Sequence, residues 1–388
     1  MDLAYHEPMT VATNRPEFDQ NHTLHRDHSV VRYGVIGTGM MGCEHIANIA
    51  ALDGALVTAI CDPHEPSLTR ARQAAATAGN GAASPAEFSE DRALIDSGLC
   101  DAVVIATPNH SHVTPLLDAM AAGLHVLVEK PLCTTLDDCR VVVEAARSHD
   151  AVAWVGLEYR YMPPVARLVA EVRSGTVGEL KMVSIREHRF PFFEKVGDWN
   201  RFSANTGGTL VEKCCHYFDL MNLLVKQRPT RVYASGGQDV NHLDEYYNGR
   251  RCDILDNAFV IVDYANGVRG MVDLCMFADA TKNQEEVVAV GDAGKVESML
   301  PASTIRVGRR GEHWVGSVSE EPVVDSRIKY TGGHHGASYL EHLGFLEAIR
   351  SGGEPAVSLE DGMWAVAVGV AAHKSIEQGC AVEVSVDA

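Results

Sequence analysis

The chain has few of the features that mark membrane, nucleic-acid-binding or disulfide-stabilised proteins. None of its 388 residues belong to an apolar stretch long enough to span a membrane, and the first thirty lack the hydrophobic region of a signal peptide. Lys and Arg number 33 against 52 Asp and Glu, a net charge of −19, so we expect no nucleic-acid or membrane partner. The ten cysteines form no CxxC pair, which favours free thiols in a reducing compartment, by default the cytoplasm.

The length and composition are those of a globular protein with more than one domain. Apolar residues make up 46% of the chain and charged residues 22%. We expect an N-terminal arm over residues 1–29, a nucleotide-binding domain over 30–155 and a second domain over 156–388. The arm is polar and is expected to be flexible, with metal binding by its histidines as an alternative; these are His6, His22, His25 and His28.

The first domain begins with a glycine-rich turn between a strand-like and a helix-like segment. Val31–Ile36 is apolar, Gly37–Gly42 reads G-x-G-x-x-G, and Asp62 follows twenty residues after Gly42. In this context the pattern predicts a dinucleotide site in which the helix N-terminus holds the pyrophosphate and Asp62 binds the adenosine ribose. A carboxylate repels a 2′-phosphate, and residues 63–65 contain no arginine, so NAD is favoured over NADP. A glycine-rich turn in another kind of α/β protein is the alternative.

Apolar runs alternate with helix-like segments up to about Val155, which predicts a doubly wound parallel sheet. Helix starts are predicted at Ser84-Pro85 and Thr114-Pro115. The predicted strands are Val31–Ile36, Leu56–Cys61, Ala102–Ala106, His125–Val128 and Ala151–Val155.

After Gly156 the apolar residues adopt period-two patterns, which predict an α/β domain with a largely antiparallel, open sheet. Two long helices are predicted at the end of the chain. Ser338 with Glu341 and Ser358 with Asp361 resemble capping boxes for them, and Gly379 suits the C-terminal stop of the second. The predicted strands are Lys181–Arg186, Arg231–Ser235, Ala258–Tyr264, Val268–Cys275 and Glu285–Ala289.

Two segments at the carboxyl ends of predicted strands are candidates for the site. Thr107, Pro108, Asn109 and His112 follow one strand, where ligands of doubly wound sheets bind, although Asn109 and His112 could instead cap the next helix. Glu129-Lys130-Pro131 follows another strand, from which the Lys130 ammonium could reach nicotinamide and substrate.

A third segment, Gly207–Asp219, carries Glu212 and His216 four residues apart, on one face if the segment is helical. A carboxylate beside an imidazole raises its basicity, which suits a general base for an alcohol. The same spacing could hold a metal, but no further ligands appear at a recognisable spacing, so we expect none.

Together, in this order, these motifs resemble the glucose-fructose oxidoreductase, inositol dehydrogenase and rhizopine-catabolism (Gfo/Idh/MocA) family. The resemblance runs from about Val31 to Val382. It also includes the segments Tyr159–Pro163, Ser174–Gly178, Phe345–Ile349 and Ser358–Gly362.

The resemblance implies a Rossmann domain followed by an α/β domain whose open sheet forms a homodimer or homotetramer interface. It implies NAD-dependent hydride transfer with a secondary hydroxyl or ketone of a sugar, sugar derivative or cyclitol. Lys130, His216 and Glu212 match the family's catalytic lysine, histidine and acidic neighbour, with His216 as the base and Lys130 stabilising the alkoxide. The chain departs from the family in having Glu212 where aspartate is common and Cys214 where a small residue is common.

The cofactor-binding residues implied are Gly37, Thr38, Gly39, Met40, Met41, Gly42, Asp62, Thr107, Pro108, Asn109, His112, Glu129 and Lys130. Candidates for substrate contacts are Tyr159, Arg160, Trp199, Arg201 and His335, because arginine and aromatic groups suit sugar hydroxyls and ring faces. Two alternatives remain. One is a glycoside-cleaving enzyme that oxidises the sugar transiently, and the other is a non-catalytic NAD or sugar sensor.

Overall fold

The computed structural model describes residues 30–78, 84–311, 315–316 and 318–387. The predicted N-terminal arm and its four histidines lie outside the described residues. No helix in the described residues is long and apolar enough to cross a lipid bilayer.

Residues 31–156, here called the first half of the molecule, form a six-stranded parallel sheet in the order β3-β2-β1-β4-β5-β6. Helices cover it, so its central strands are buried on both sides and read as continuous apolar runs. Its elements are β1 (Val31–Ile36), α1 (Met40–Ala50), β2 (Ala55–Cys61), α2 (Glu65–Ala78), β3 (Ala86–Phe88), α3 (Asp91–Ile95), β4 (Ala102–Ile105), α4 (Val113–Ala121), β5 (His125–Glu129), α5 (Leu136–Ala146) and β6 (Ala153–Gly156).

This arrangement confirms the predicted doubly wound sheet, and the five predicted strands lie within two residues of the observed ones. Two predicted helix starts are wrong. Ser84-Pro85 precedes strand β3 rather than a helix. Helix α4 begins at Val113 with His112 as its N-cap, so Thr114 already lies inside the helix. His112 thus holds the predicted capping position, but its side chain makes no capping hydrogen bond, and Asn109 lies in the turn before it.

The rest of the chain builds a nine-stranded sheet in the order β16-β15-β14-β13-β7-β12-β11-β8-β17. Only β7 and β12 pair in parallel within it, which confirms a largely antiparallel sheet. Strands β9 and β10 pair only with each other, in a separate two-stranded sheet. The elements of this part of the chain are α6 (Pro163–Arg173), β7 (Leu180–His188), α7 (Ser203–Thr206), α8 (Thr209–Glu212), α9 (Cys215–Val225), β8 (Pro229–Gly237), β9 (Tyr246–Tyr247), β10 (Arg250–Arg251), β11 (Asn257–Tyr264), β12 (Arg269–Cys275), β13 (Glu285–Gly291), β14 (Gly294–Leu300), β15 (Thr304–Arg309), β16 (Ser319–Pro322), α10 (Ala337–Ser351), α11 (Leu359–Gln378) and β17 (Val382–Glu383).

One face of this second sheet is covered and the other is open. Buried and exposed side chains alternate along β11, and helix α11 packs on β8 and on α9. The opposite face exposes apolar side chains, among them Tyr233 and Ile261, which pair across β8 and β11. The sheet is therefore open, as the sequence predicts.

The two C-terminal helices link the halves of the molecule. Helix α10 packs on α1, and α11 packs on α5. The predicted capping box of Ser358 and Asp361 is confirmed, because each side chain accepts the other's backbone N–H, at 3.1 and 3.0 Å. The one predicted for Ser338 is wrong: α10 begins after Gly336, and the Ser338 hydroxyl lies 3.5 Å from Glu44 Oε1.

Candidate active site

A cleft of about 1040 Å³ opens at the carboxyl edge of the parallel sheet. The turns after β1, β2, β4 and β5 form one wall, and residues 194–196, Trp199 and Glu212 from the second half form the other. Because ligands of doubly wound sheets bind beyond the carboxyl ends of the strands, this cleft is the candidate active site.

The glycine turn at the base of the cleft leaves room for a ligand only at its centre. Gly37 has φ of 86°, and a Cβ there would lie 2.6 Å from the Ala106 backbone. A Cβ on Gly42 would lie 2.0 Å from the Gly37 oxygen, so α1 packs closely against the turn. A Cβ on Gly39 would meet no described atom within 4 Å, which is the open space that a pyrophosphate needs.

The N-terminus of α1 faces this space. Gly39 is its N-cap, and none of the described side chains caps the helix, so the first N–H groups of Met40 and Met41 remain available to an anion. Both methionines line the cleft, while Thr38 is fully buried behind them. The residues present thus fit a dinucleotide.

Asp62 lies at the end of β2 and lines the cleft. Its Oδ2 accepts the Thr38 N–H at 2.8 Å, and its Oδ1 accepts the His64 N–H at 2.8 Å. These two bonds fix the carboxylate at the place where the fingerprint predicts ribose binding. The sequence prediction found no arginine nearby, but Arg70 on α2 also lines this end of the cleft and donates to Ser67 Oγ at 3.1 Å.

The loop after β4 contributes polar groups that lack a partner. Thr107 Oγ1 and Asn109 Nδ2 are buried with no hydrogen-bond partner among the described residues, and both residues line the cleft with Pro108. A ligand in the cleft can supply the missing partners. His112 is placed differently: it is fully buried, with its ring nitrogens 3.0 Å from the Pro131 oxygen and 3.1 Å from the Thr107 oxygen, so it ties two loops together.

Lys130 reaches the cleft from the end of β5. Its Nζ donates to the Glu212 carbonyl oxygen at 3.3 Å. Burial works to lower the pKa of Lys130, but the Cys215 thiol and the carboxylates of Glu129, Glu212 and Glu158 outweigh it and raise that pKa. The ammonium therefore stays charged at neutral pH.

Behind Lys130 lies a buried chain of hydrogen bonds. Glu129 Oε2 accepts the Lys130 backbone N–H at 3.1 Å, and Glu129 Oε1 lies 2.8 Å from His45 Nε2. His45 Nδ1 in turn lies 2.8 Å from His342 Nε2 on α10. This chain fixes the backbone that carries Lys130 between α1, β5 and α10.

His216 lies deeper than Lys130 and Glu212 and is 2% exposed. Burial first, and then the positive charges of Lys130 and Lys213, hold its pKa well below the usual value, so the imidazole is neutral at pH 7. Its ring stacks on Tyr159, with centroids 4.0 Å apart and planes 10° apart. Neutral imidazole held in a fixed plane suits proton acceptance.

The predicted pairing of Glu212 with His216 is wrong in its geometry. Helix α8 ends at Glu212 and α9 begins at Cys215, so the two residues do not share one continuous helix. The carboxylate that faces His216 belongs to Glu158, whose Oε1 lies 3.7 Å from His216 Nε2. Glu212 lines the cleft instead, and its buried Oε2 has no hydrogen-bond partner in the described residues. Burial raises the pKa of Glu212, and Lys130 and Lys195 oppose that shift.

The five residues proposed for substrate contacts take different places. Trp199 lines the cleft, and Tyr159 forms the buried stack on His216. Arg160 lies outside the cleft lining, where it pairs with Asp219 and donates to the Ala356 oxygen at 2.7 Å. Arg201 is 3% exposed and donates to Glu245 at 3.2 Å, away from the cleft lining. His335 is half-buried and lies outside the lining as well.

Sequence reasoning missed three ionisable groups in this region, of which Lys195 lines the cleft. Burial first, and then Lys130, lower the pKa of Lys195. Glu158 and His334 lie against each other beside His216. Glu158 follows strand β6, so the rule that placed Lys130 could have found it, and His334 is the immediate neighbour of the proposed His335.

Comparison with known proteins agrees with this architecture. The profile of the Gfo/Idh/MocA oxidoreductase family's NAD-binding Rossmann fold matches residues 31–157, and the profile of its C-terminal α/β domain matches residues 169–384. Myo-inositol 2-dehydrogenase of Thermotoga maritima is 27% identical over 90% of this chain and 97% of that protein. The NAD-dependent scyllo-inositol 2-dehydrogenase of Bacillus subtilis is 26% identical over 92% of this chain and 97% of that protein.

Solved structures show the same fold. Levoglucosan dehydrogenase in complex with NADH and levoglucosan superimposes with a TM-score of 0.79 over 91% of this chain and 99% of that one, at 21% identity. The two profiles together span nearly all of the described chain: the first covers the glycine turn and one wall of the cleft, and the second covers the other wall and the second sheet. The chain therefore belongs to the Gfo/Idh/MocA oxidoreductase family and carries its NAD-binding Rossmann fold.

Proposed function

We propose that this chain oxidises a secondary hydroxyl of a sugar, sugar derivative or cyclitol with NAD, and reduces the matching ketone in reverse. The observation that carries the proposal is the convergence of two groups at the inner end of the cleft: the charged Lys130 ammonium and the unpartnered Glu212 carboxylate. The inositol dehydrogenases to which the chain is similar over nearly its whole length support the substrate class.

The residues that would hold the cofactor lie along the cleft in order. The backbone at Gly39–Met41 suits the pyrophosphate, Asp62 the adenosine ribose, and Thr107 with Asn109 the nicotinamide half, beside Glu129 and Lys130. When bound, NAD supplies a hydride acceptor. The protein's own groups are left to bind the substrate and to move its proton.

Lys130 and His216 divide the acid–base work. The Lys130 ammonium binds the reacting oxygen and stabilises the negative charge that develops on it. His216, neutral at pH 7, takes the hydroxyl proton. The first role requires a charged ammonium and the second a neutral imidazole. Burial and the neighbouring charged groups produce these two protonation states here.

Glu212 is proposed to bind the substrate rather than the imidazole. Its Oε2 is buried at the cleft surface with no hydrogen-bond partner among the described residues, and a sugar or cyclitol hydroxyl can donate to it. Trp199 on the same wall offers an apolar ring face. Tyr159, Arg160, Arg201 and His335 would then support the wall from behind.

The test is a panel of sugars and inositols with NAD and with NADP, followed by absorbance of the reduced cofactor. We expect NADH formation with at least one member, and loss of turnover on the order of 10²-fold or more in Lys130→Met while NAD binding by calorimetry is retained. Lys374→Met, on the exposed side of α11, is the control. Substrate cleavage without net NADH would replace this proposal with the transient-oxidation reaction, and NAD binding without turnover of any substrate would leave a sensor.

We further propose that the protein works in the cytoplasm. All ten cysteines are free, and seven of the ten are buried, so no disulfide contributes to the fold. Extraction under thiol-trapping conditions should label only the accessible thiols, with no oxidised pair.

A further inference from the structure

A line of ionisable side chains leads from His216 to the protein surface. Glu158 Oε1 lies between two histidines, 3.7 Å from His216 Nε2 and 3.6 Å from His334 Nε2. On the other side of its ring, His334 Nδ1 lies 3.4 Å from Glu44 Oε1 on α1. Glu158, His334 and Glu44 do not line the cleft.

We propose that Glu158, His334 and Glu44 form a relay that carries the substrate's hydroxyl proton from His216 to solvent. The proposal rests on the proposed function, which makes His216 the base. In each oxidation the carbon loses one hydrogen with two electrons as hydride, and the hydroxyl group loses one proton. Each turnover must therefore release that proton from a buried site. His216 is 2% exposed and cannot pass that proton to water directly.

The geometry of the imidazole suits passage of a proton through the ring. Nε2 faces Glu158, while Nδ1 is buried with no hydrogen-bond partner in the described part of the chain. His216 does not line the cleft, so the relay requires the substrate to reach its unpartnered Nδ1 from the cleft's inner end. His216 would then accept the substrate proton on Nδ1 and release the proton of Nε2 to Glu158. That transfer breaks one N–H bond and forms one O–H bond. It leaves a neutral imidazole with its proton on Nδ1, so the ring must return to the Nε2 tautomer before it accepts the next proton.

The next steps follow the same pattern. Glu158 passes the proton to His334 Nε2, and His334 releases its Nδ1 proton toward Glu44 or water. Each gap exceeds a formed hydrogen bond of roughly 3.2 Å by about half an ångström or less, and acid–base contacts tighten when substrate fills a site. The His334 side chain is 26% exposed and that of Glu44 14%, so the line ends at solvent.

The outer residues are anchored, which keeps the line in place. Glu44 Oε1 accepts the Gly333 backbone N–H at 3.1 Å and lies 3.5 Å from the Ser338 hydroxyl. Glu44 belongs to α1, the helix that begins at the glycine turn, while His334 immediately precedes α10. The relay thus crosses between the two halves of the molecule.

The surroundings shift the pKa values of the relay members in different directions. Burial works to raise the pKa of Glu44, but His334 and the Gly333 N–H outweigh it and lower that pKa. Burial raises the pKa of Glu158, with His334 opposing the shift. Burial works to lower the pKa of His334, but Glu158 and Glu44 outweigh it and raise that pKa. The rise in the pKa of Glu158 and the fall in that of His216 move these two values toward each other, which favours proton transfer between them. Other ionisable groups that interact electrostatically with Glu158 or His334 include Glu129, Lys130, Lys213, Glu341, His335, Cys215 and Tyr159.

The test compares His334→Ala and Glu158→Gln with His188→Ala. His188 is a matched control because its side chain is 28% exposed and lies 3.1 Å from Asp273, outside the cleft. We expect kcat for alcohol oxidation to fall about tenfold in both relay variants. In His334→Ala we expect added imidazole to restore kcat in proportion to its concentration, because the buffer can replace the missing ring. The unmodified chain and His188→Ala should not respond.

A second measurement needs no turnover. In the chain without cofactor, Glu158→Gln should lower the pKa of His334, which NMR of labelled histidines can follow. If His334→Ala does not fold, Glu158→Gln carries the test alone, with kcat and the pKa of His334 as its two readouts.

The outcomes separate the relay from the proposed function. Normal NADH production with unchanged kcat in Glu158→Gln and His334→Ala would overturn the relay and leave the proposed function standing. A fall in kcat that no imidazole concentration changes, with the His334 pKa unmoved in Glu158→Gln, would assign these residues a structural role and also overturn it. If the unmodified chain forms no NADH with any substrate, both proposals fail.

Discussion

The phenol ring of Tyr159 lies flat on the imidazole of His216, with centroids 4.0 Å apart and planes 10° apart. The Tyr159 hydroxyl accepts a hydrogen bond from Lys213 Nζ at 2.7 Å and donates to Glu285 Oε1 at 3.4 Å. Lys213 is also held by Glu187 at 3.0 Å. The plane of the candidate base is therefore fixed by a tyrosine that is itself anchored at its far end to the second sheet.

Two substitutions of Tyr159 should separate the stack from its anchor. Tyr159→Phe keeps the ring and loses only the hydroxyl contacts, whereas Tyr159→Leu removes the stack as well. Since aromatic stacking contributes about 0.5–1.5 kcal/mol, we expect kcat in Tyr159→Leu to be about twofold to tenfold below that in Tyr159→Phe.

The pH profile of kcat/KM adds a check that a general loss of structure would not reproduce. Burial keeps the pKa of His216 low, and Tyr159→Leu lets water reach the ring, so the acid limb of the profile should move to higher pH. Equal kcat values and an unmoved acid limb in the two variants would show that the stack does not position the base.

Much of the fold was predictable because it depends on local patterns. Continuous apolar runs mark the parallel strands that are buried on both faces, and period-two runs mark the half-covered second sheet. Strand β3 was not predicted, because Ala86–Phe88 is only three residues long and is too short to show a periodic pattern. The capping box predicted at Ser338 does not form, because Gly336, with φ of 83°, is already the N-cap of α10.

The candidate site was predictable only where chain order determines position. Lys130 and Thr107 follow strands, and the carboxyl ends of parallel strands meet at one edge. The contact of Glu158 with His216 joins the end of β6 to α9, and no spacing in the sequence reveals it. Helical spacing favoured Glu212 as the partner, but the helix is interrupted between Glu212 and Cys215.

Cofactor preference should depend on the charge of Asp62. Asp62→Asn removes the carboxylate charge and keeps an amide oxygen that can accept a backbone N–H. Because Arg70 lines the same end of the cleft, a 2′-phosphate would then meet a cation without the opposing anion. We expect the ratio of kcat/KM for NADP to that for NAD to rise about tenfold or more.

The matched control is Asp62→Asn combined with Arg70→Met, which should cancel most of the gain. A ratio that stays at the wild-type value in Asp62→Asn would contradict the role of the carboxylate in excluding NADP. A gain that persists without Arg70 would place the phosphate contact elsewhere.

The open face of the second sheet is the surface on which we expect two copies of the chain to associate. Phe259 is 61% exposed and Met182 55%, and with Ile261 and Tyr233 they lie on one face of β7, β8 and β11. A charge at the centre of an apolar interface is costly, so Phe259→Asp should reduce the mass measured by light scattering toward that of a single chain. Val141→Asp, an exposed position on α5, should leave the mass unchanged. Identical masses for both variants and the unmodified chain would contradict this interface.

Buried neutral histidines should make stability depend on pH, and His373 on α11 offers the clearest case. Its Nε2 accepts the Leu210 backbone N–H at 3.1 Å, and burial lowers its pKa to about 4. In the unfolded chain the value is about 6.5, so between these two limits the unfolded chain binds more protons than the folded one. The contribution of His373 is thus fully present above about pH 6.5 and is lost as the pH falls toward 4, by at most about 3 kcal/mol.

His373→Gln keeps an acceptor for Leu210 but does not titrate. We therefore expect the free energy of unfolding, from urea titrations at pH 7 and pH 5, to change less with pH in His373→Gln than in the unmodified chain. His112, His216 and His342 also have lowered pKa values through burial, so part of the dependence should remain in the variant. His188→Gln, which removes a partly exposed histidine, should retain the full dependence. Because the acid loss comes from protons taken up by the unfolded chain, an equal slope in His373→Gln would mean that this imidazole is already protonated in the folded protein.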